Sequence, residues 1–256
     1  MAALKASLDS IDQGAMGFAA SAAKLDGSRL SIEWKTLQGS YEGTVNAEGS
    51  QIDGTWTQRG NSIPLQFNRK KFEMKEVKAI PLAANERDFL ISHLEKSRQE
   101  FLRSIEGLSK EQWTHKPAGG GWSIADCAEH LTVTEDAIFN MVTQQFLKAP
   151  IREGVVRKAQ ADDEKVIARM LDRSQKAKAP EMLHPTGKWP TADAIKTAFN
   201  ERRNRSITFV RSTQEDMRGR VAGSMDTYQY FVMMSGHTLR HTAQLNEVKQ
   251  DAGYPK

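Results

Sequence analysis

The segment GWSIADCAEHL, residues 121–131, indicates the start of a long helix that carries a histidine on its apolar side. Ser123 and Asp126 have the spacing of a capping box, in which each side chain accepts a hydrogen bond from the other residue's backbone. Apolar residues then recur at helical spacing, and His130 falls on the same stripe. The other residues of this stripe are Ile124, Cys127, Leu131, Thr134, Ile138, Met141 and Val142. The pattern therefore predicts a core helix that buries an imidazole ring.

A second segment, GHTLRHTAQ at residues 236–244, places two more histidines on another predicted helix. His237 and His241 are four residues apart, so both side chains project from one face of that helix. Its apolar stripe consists of Tyr230, Met233, Met234, Leu239, Leu245 and Val248. We expect the helix to begin near Asp226 and to end at Gly253, because a glycine followed by a proline commonly terminates a helix.

Two further long helices complete a predicted four-helix bundle. One begins at Asn85 or Glu86 and has apolar residues at helical spacing as far as Leu108. The other begins at the tripeptide WPT, residues 189–191. The charged residues 162–173 predict a short helix within a long crossover connection.

Residues 1–76 show the two-residue period of β-strands instead of the helical period. Leu30, Ile32 and Trp34 alternate with polar residues, and turn-forming glycines separate this strand from the next ones. Three more strands are predicted at residues 41–45, 51–56 and 62–67. We expect Trp34, Trp56 and Phe67 to share one inward face.

The two periods predict an α+β protein with two domains. Residues 1–76 form an antiparallel β-meander, described as a partial up-and-down barrel, and residues 77–85 form a linker. Residues 86–256 form the four-helix bundle.

Composition restricts the class of protein. The 256 residues carry a net charge of only +4, and the basic clusters at residues 69–71 and 201–205 are short. Solvated surface explains such clusters better than nucleic-acid binding does. Cys127 is the single cysteine, which excludes an intrachain disulfide, and no apolar run approaches the ~20 residues of a membrane span. We expect a soluble, cytoplasmic protein with neither a nucleic-acid nor a membrane partner.

His130, His237 and His241 are the candidate metal ligands. Each lies on an apolar stripe, and a buried imidazole needs partners for both of its nitrogens. One shared metal ion would satisfy three nitrogens together, and three protein ligands leave coordination positions open, as in catalytic sites. Histidines four residues apart also occur as core or capping residues, so the spacing alone leaves both interpretations open.

Residues 86–256 resemble the DinB family of four-helix bundles, which includes bacillithiol transferases and is related to mycothiol-dependent enzymes. The resemblance rests on residues 121–131, residues 236–244 and the terminal GYP at residues 253–255. In that family the corresponding histidines bind one divalent metal ion, which implies the same role for His130, His237 and His241. The resemblance also implies a homodimer. On the motifs at residues 8–14, 41–43, 52–58 and 65–67, residues 1–76 resemble a small β-module that precedes hydrolase domains in some bacterial proteins.

The implied reaction is metal-dependent. Imidazole suits several divalent metals, and we expect Zn or Ni. The ion could activate water for hydrolysis or hold a low-molecular-weight thiol as its thiolate, which would attack a small-molecule substrate. The resemblance favours a thiol S-transferase over a hydrolase. The alternative is a non-catalytic metal-binding or stress-associated interaction module, and nucleic-acid binding is the weakest hypothesis.

The sequence identifies no catalytic acid or base. Glu129 is about 100° around the helix from His130, so we expect it to point away from the metal. Thr134 and Gln244 lie near the histidines and are candidate polar groups.

Four other residues receive structural interpretations. Cys127 is predicted to be a small buried core residue, and Trp122 to pack at the helix start as a hydrophobic staple without a functional role. His115 and His184 lie in loops that contain proline, and we expect both to be solvated.

Overall fold

The computed structural model describes residues 4–10, 15–69, 77–151, 154–174 and 178–256. The chain divides into two compact units. The first consists of Met1–Glu76 with Ala222–Ser224, and the second of Val77–Val221 with Met225–Lys256. None of the helices in the described ranges is both long and apolar enough to cross a membrane.

The first unit contains the predicted antiparallel meander. Five strands pair in chain order, so each strand neighbours the next one along the sequence. They are β3 (Ala22–Asp26), β4 (Arg29–Trp34), β5 (Gly39–Val45), β6 (Gln51–Gln58) and β7 (Asn61–Asn68), and they follow a separate hairpin of β1 (Ser7–Ser10) and β2 (Ala15–Ala19). The four strands predicted individually are present in β4 to β7. The resemblance motif at residues 8–14 lies partly outside the described residues.

Aromatic side chains cover one face of the five-stranded sheet. Trp34 and Tyr41 are fully buried, and Trp56 and Phe67 pack against them, as the alternation predicted. Tyr41 packs against Gly54, where an added Cβ would be 2.5 Å from the tyrosine hydroxyl oxygen and closer still to the backbone oxygen of Glu42. Glycine is therefore required there, because any side chain would displace the ring that forms this core.

The second unit contains four long helices of 21 or 22 residues, as predicted. They are α1 (Ala84–Ser104), α3 (Ile124–Gln144), α5 (Ala192–Ser212) and α6 (Thr227–Val248). The short helix α4 (Gln160–Leu171) lies in the crossover between α3 and α5, where the charged segment predicted it. A five-residue helix, α2 (Lys110–Thr114), and a small hairpin of β8 (Val221–Ala222) and β9 (Met225–Asp226) were not predicted.

The expected end of the last helix at Gly253 is wrong. Helix α6 ends at Val248, and the chain continues through turns in which Asp251 N donates to Val248 O and Tyr254 N to Asp251 O. The Asp251 carboxylate lies 2.9 Å from His115 Nε2, so a tertiary contact directs the chain away from the helix axis. His115 was expected to be solvated, but its side chain is only 15% exposed.

Candidate metal centre

Local sequence positions the three histidines on two helices. Ser123 Oγ accepts from Asp126 N at 3.1 Å, and Asp126 Oδ2 accepts from Ser123 N at 2.9 Å, so the predicted capping box fixes the start of α3. Asp226 caps α6 in the same way, because its carboxylate accepts from Gln229 N at 2.8 Å. From these two starts, helical geometry directs His130 on α3 and the two histidines of α6 into one space.

The structure brings the three predicted histidines together. Their ligand atoms all lie within 4.8 Å of one another, and the Nε2 atoms of His130 and His237 are 3.3 Å apart. The ring centroids are separated by 4.5 Å for His237 and His241, and by 4.7 Å for His130 and His241. Within the part of the chain that the structure describes, no other group of three His, Cys, Asp or Glu residues is close enough to share an ion.

Hydrogen bonds define the tautomers of two of the rings. His130 Nδ1 lies 2.9 Å from the carbonyl oxygen of Leu183, and a carbonyl can only accept, so Nδ1 carries the proton. His241 Nδ1 lies 2.9 Å from Gln244 Oε1, which confirms the expectation that Gln244 supplies a polar group beside the histidines. In a neutral ring with a proton on Nδ1, the lone pair is on Nε2. Both rings therefore offer Nε2 as a ligand atom.

Burial keeps the three imidazoles uncharged. It lowers the pKa of His130, and it lowers the pKa of His241 to about 3. Burial also holds the pKa of His237 well below the ordinary value, and the two neighbouring histidines lower it further. Neutral imidazole is the form that binds metal ions. The cluster is therefore ready to act as a ligand set at neutral pH.

The geometry fits a divalent ion. Two imidazole nitrogens that each lie about 2.0–2.1 Å from a tetrahedral zinc ion are about 3.3–3.4 Å apart. The 3.3 Å separation of the Nε2 atoms of His130 and His237 agrees with that value. The third ring lies at a similar centroid distance from both of the others.

Trp122 forms one side of the histidine cluster. Its ring centroid lies 4.8 Å from that of His130 and 6.1 Å from that of His241, and it is nearly parallel to the latter ring. The interpretation of Trp122 as a helix-start residue without a functional role is therefore incomplete. Helical spacing gave no signal for this contact, because Trp122 precedes the helix cap.

Other residues near the cluster have local partners. Thr134 Oγ1 donates to His130 O at 2.7 Å and therefore bonds within its own helix. Cys127 is fully buried among apolar side chains, and burial raises the pKa of its thiol to about 12. The prediction of a core cysteine is confirmed. His184, expected to be solvated, is exposed, and its Nε2 lies 3.0 Å from Ala179 O.

Comparison with known proteins identifies the family. The model of the DinB superfamily matches residues 93–245, which contain all three histidines. The chain belongs to the DinB superfamily. Over 165 residues it is 26% identical to the uncharacterized protein YuaE of Bacillus subtilis strain 168, an alignment that covers 62% of this chain and 97% of that relative.

Among solved structures, the DinB-superfamily chain is similar to YfiT from Bacillus subtilis. That protein is described as a probable metal-dependent hydrolase with an unusual four-helix bundle topology. The TM-score is 0.43 at 16% sequence identity, with coverage of 71% of this chain and 97% of that chain.

A second buried polar cluster lies on the same helices of this DinB-superfamily bundle. Arg203 on α5 forms a paired contact with Glu135 on α3, with Nη2 at 2.6 Å and Nε at 3.0 Å from the carboxylate oxygens. Its remaining N–H groups donate to Leu94 O and Ser97 Oγ on α1 and to Thr238 Oγ1 on α6. The expectation that residues 201–205 form a solvated surface is therefore wrong for Arg203. The four-residue spacing of Phe199, Arg203 and Ile207 on the core stripe of α5 was an available signal.

Proposed function

We propose that this protein is a DinB-type, divalent-metal-dependent enzyme whose ligands are His130, His237 and His241. The observation that carries the proposal is the 3.3 Å contact between the Nε2 atoms of His130 and His237, with His130 Nδ1 already bonded to a carbonyl. Without an ion, these two nitrogens of neutral rings can share one hydrogen bond, whereas a bound ion would take a lone pair from each of them. Zn and Ni are the expected ions, since both accept imidazole ligands.

The ion would supply Lewis-acid activation of a nucleophile, either water or the thiolate of a low-molecular-weight thiol. The chain contributes neutral ligands that leave coordination positions open to a small molecule. Trp122 lies beside two of the ligand rings, with its ring centroid 4.8 Å from that of His130 and 6.1 Å from that of His241. We propose thiol S-transfer in preference to hydrolysis, because the family that residues 86–256 resemble includes bacillithiol transferases.

Metal content tests the ligand assignment. Protein purified without chelators should contain about one divalent ion per chain by mass spectrometry, and titration calorimetry with Zn or Ni should give the same stoichiometry. His237→Ala should lose the ion. His93→Ala is the matched control, because His93 packs against Phe89 on α1 and takes no part in the cluster. Equal metal content in His237→Ala and wild type would exclude the site.

Parallel assays of thiol transfer and of hydrolysis test the reaction. A panel of low-molecular-weight thiols is combined with an aryl halide electrophile, and ester and amide hydrolysis are measured in parallel. We expect chelation to remove either activity and the ion to restore it. Thiol consumption without hydrolysis supports S-transfer, hydrolysis without thiol supports the hydrolase, and no turnover with the ion bound supports a non-catalytic module.

Homodimer formation and a cytoplasmic location stay predictions. Light scattering of the metal-loaded protein measures the oligomeric state, and a monomer would contradict the implied dimer.

A further inference from the structure

A buried carboxylate of α3 holds the loop before α5. Glu129 is only 3% exposed and accepts four hydrogen bonds from this loop. Its Oε1 atom accepts from Thr186 N and Thr186 Oγ1, each at 2.8 Å. Its Oε2 atom accepts from Gly187 N at 2.8 Å and from Lys188 N at 3.1 Å. Hydrogen bonds to an ionised acceptor are among the strongest in proteins, so this contact fixes the loop on the helix.

The backbone of the loop is shaped for that contact. Three successive N–H groups, from Thr186 to Lys188, point towards one carboxylate, which is the arrangement of an anion-binding nest. Gly187 has a φ of 80°, a left-handed conformation that glycine adopts without strain. The sequence predicted that Glu129 points away from the metal, and its four donors all belong to this loop.

The same loop also contacts the neighbouring residue of α3. Leu183 precedes Thr186 by three residues, and its carbonyl oxygen accepts the Nδ1 proton of His130 at 2.9 Å. Two consecutive residues of one helix therefore bind two ends of one short loop. The Glu129 contact involves a carboxylate, and the Leu183 contact fixes the proton of the His130 ring on Nδ1.

We propose that Glu129 is a positioning residue of the histidine cluster. By holding residues 186–188, it keeps the Leu183 carbonyl against His130 and so selects the tautomer whose Nε2 lone pair faces His237 and His241. The role in metal binding rests on the proposed function, whereas the control of the tautomer does not. When the loop is released, the Nε2–H tautomer becomes available to His130, and a protonated Nε2 cannot bind a metal ion.

Tautomers are measured directly in metal-free protein. Long-range nitrogen–proton correlation spectra of histidine-labelled protein distinguish Nδ1–H from Nε2–H rings at neutral pH. We expect His130 to be in the Nδ1–H form in wild type and to shift towards the Nε2–H form in Glu129→Ala. Thr186→Val is the matched control, because it removes one of the four hydrogen bonds and keeps the three backbone donors. Its spectrum should match wild type.

A second variant changes the loop and leaves the Glu129 carboxylate in place. Gly187→Pro keeps Glu129 but removes one N–H donor and forbids the positive φ at this position. It should produce the same shift of the His130 tautomer, and it keeps the test possible where Glu129→Ala does not fold. An Nδ1–H ring that persists in the folded variants would overturn the proposal, even if their melting temperatures fall, since lower stability alone indicates a purely structural contact.

Metal affinity gives an independent measurement. Competition with a chromophoric chelator should show zinc binding to Glu129→Ala that is about 10–100-fold weaker than to wild type, the usual effect of losing a partner that orients a ligand. An unchanged affinity would contradict the positioning role. If wild type itself binds no ion, the proposed function fails, while the tautomer spectra still decide the role of Glu129.

Discussion

Two groups of buried polar side chains share helices α3 and α6, but only one of them pairs opposite charges. All five N–H donors of Arg203 are used, and its charge is balanced by Glu135. In the histidine cluster, by contrast, three neutral rings lie together, the Nε2 atoms of His130 and His237 are in hydrogen-bond contact, and no opposite charge belongs to the group. The comparison teaches that an ion pair makes a buried polar group structural, whereas neutral imidazoles that lie together keep nitrogen lone pairs that a metal ion can take.

The largest effect is expected when the ion pair between Arg203 and Glu135 is broken. Arg203→Leu leaves the Glu135 carboxylate buried and unpaired, which should lower the free energy of unfolding by about 3–5 kcal/mol in urea titrations. Arg203→Leu combined with Glu135→Leu should cost less than the single change, because no unpaired charge is left. In the histidine cluster, His241→Leu measured without metal should lower the free energy of unfolding by about 1 kcal/mol or less, the scale of one neutral hydrogen bond. An equal loss in Arg203→Leu and His241→Leu would contradict the distinction between the two clusters.

The pH dependence of stability sharpens the comparison. Burial lowers the pKa of His241 to about 3 and also lowers that of His130, against an unfolded-state value of about 6.5. Below pH ~6.5 the unfolded chain therefore binds protons that the folded chain does not. Without metal, the free energy of unfolding should be greatest above that pH and should fall towards pH ~3, by up to about 1.4 kcal/mol per pH unit for each such histidine.

Urea titrations across this pH range measure the slope. His241→Gln should give a shallower slope than wild type, because one titrating ring is absent. His93→Ala is less suitable as a reference here, since burial also lowers the pKa of His93. An identical slope in wild type and His241→Gln would show that the cluster does not contribute to acid sensitivity.

The smallest expected effect concerns Cys127, which lies one helical turn before His130. Its buried thiol, with a raised pKa, belongs to the apolar core and not to the ligand set. Cys127→Ala should lower the free energy of unfolding by about 1 kcal/mol through lost packing and leave zinc affinity unchanged. A loss of zinc affinity in this variant would indicate that the thiol is a ligand and would contradict its assignment to the apolar core.

Much of the fold could be predicted because its signals are local. Alternation indicated strands β4 to β7, and apolar stripes with capping residues indicated the four long helices. Helix α2 was missed because five residues are too few to show a period. The end of α6 was misplaced because the contact between Asp251 and His115 joins residues that are 136 positions apart.

The ligand residues of the candidate site could be predicted from the sequence, but some of their neighbours could not. The spacing of His237 and His241 is a local signal, whereas their meeting with His130 depends on how two distant helices pack, which only the family resemblance indicated. Trp122 was missed because it precedes the helix cap and reaches His130 only through the tertiary fold. The Leu183 carbonyl was missed because it belongs to a loop that is distant from His130 in sequence. Arg203 was missed because it lies in the polar run of residues 201–205, which concealed its place on the core stripe.

The separation of the two facing histidines has a topological consequence. His130 and His237 are 107 positions apart, so an ion bound by both would act as a reversible cross-link that closes a loop of that length. A disulfide that closes a loop of ~100 residues restricts the unfolded chain by roughly 4–5 kcal/mol. With a single cysteine, this chain cannot form such a bond within itself. Coordination would give the bundle a comparable constraint.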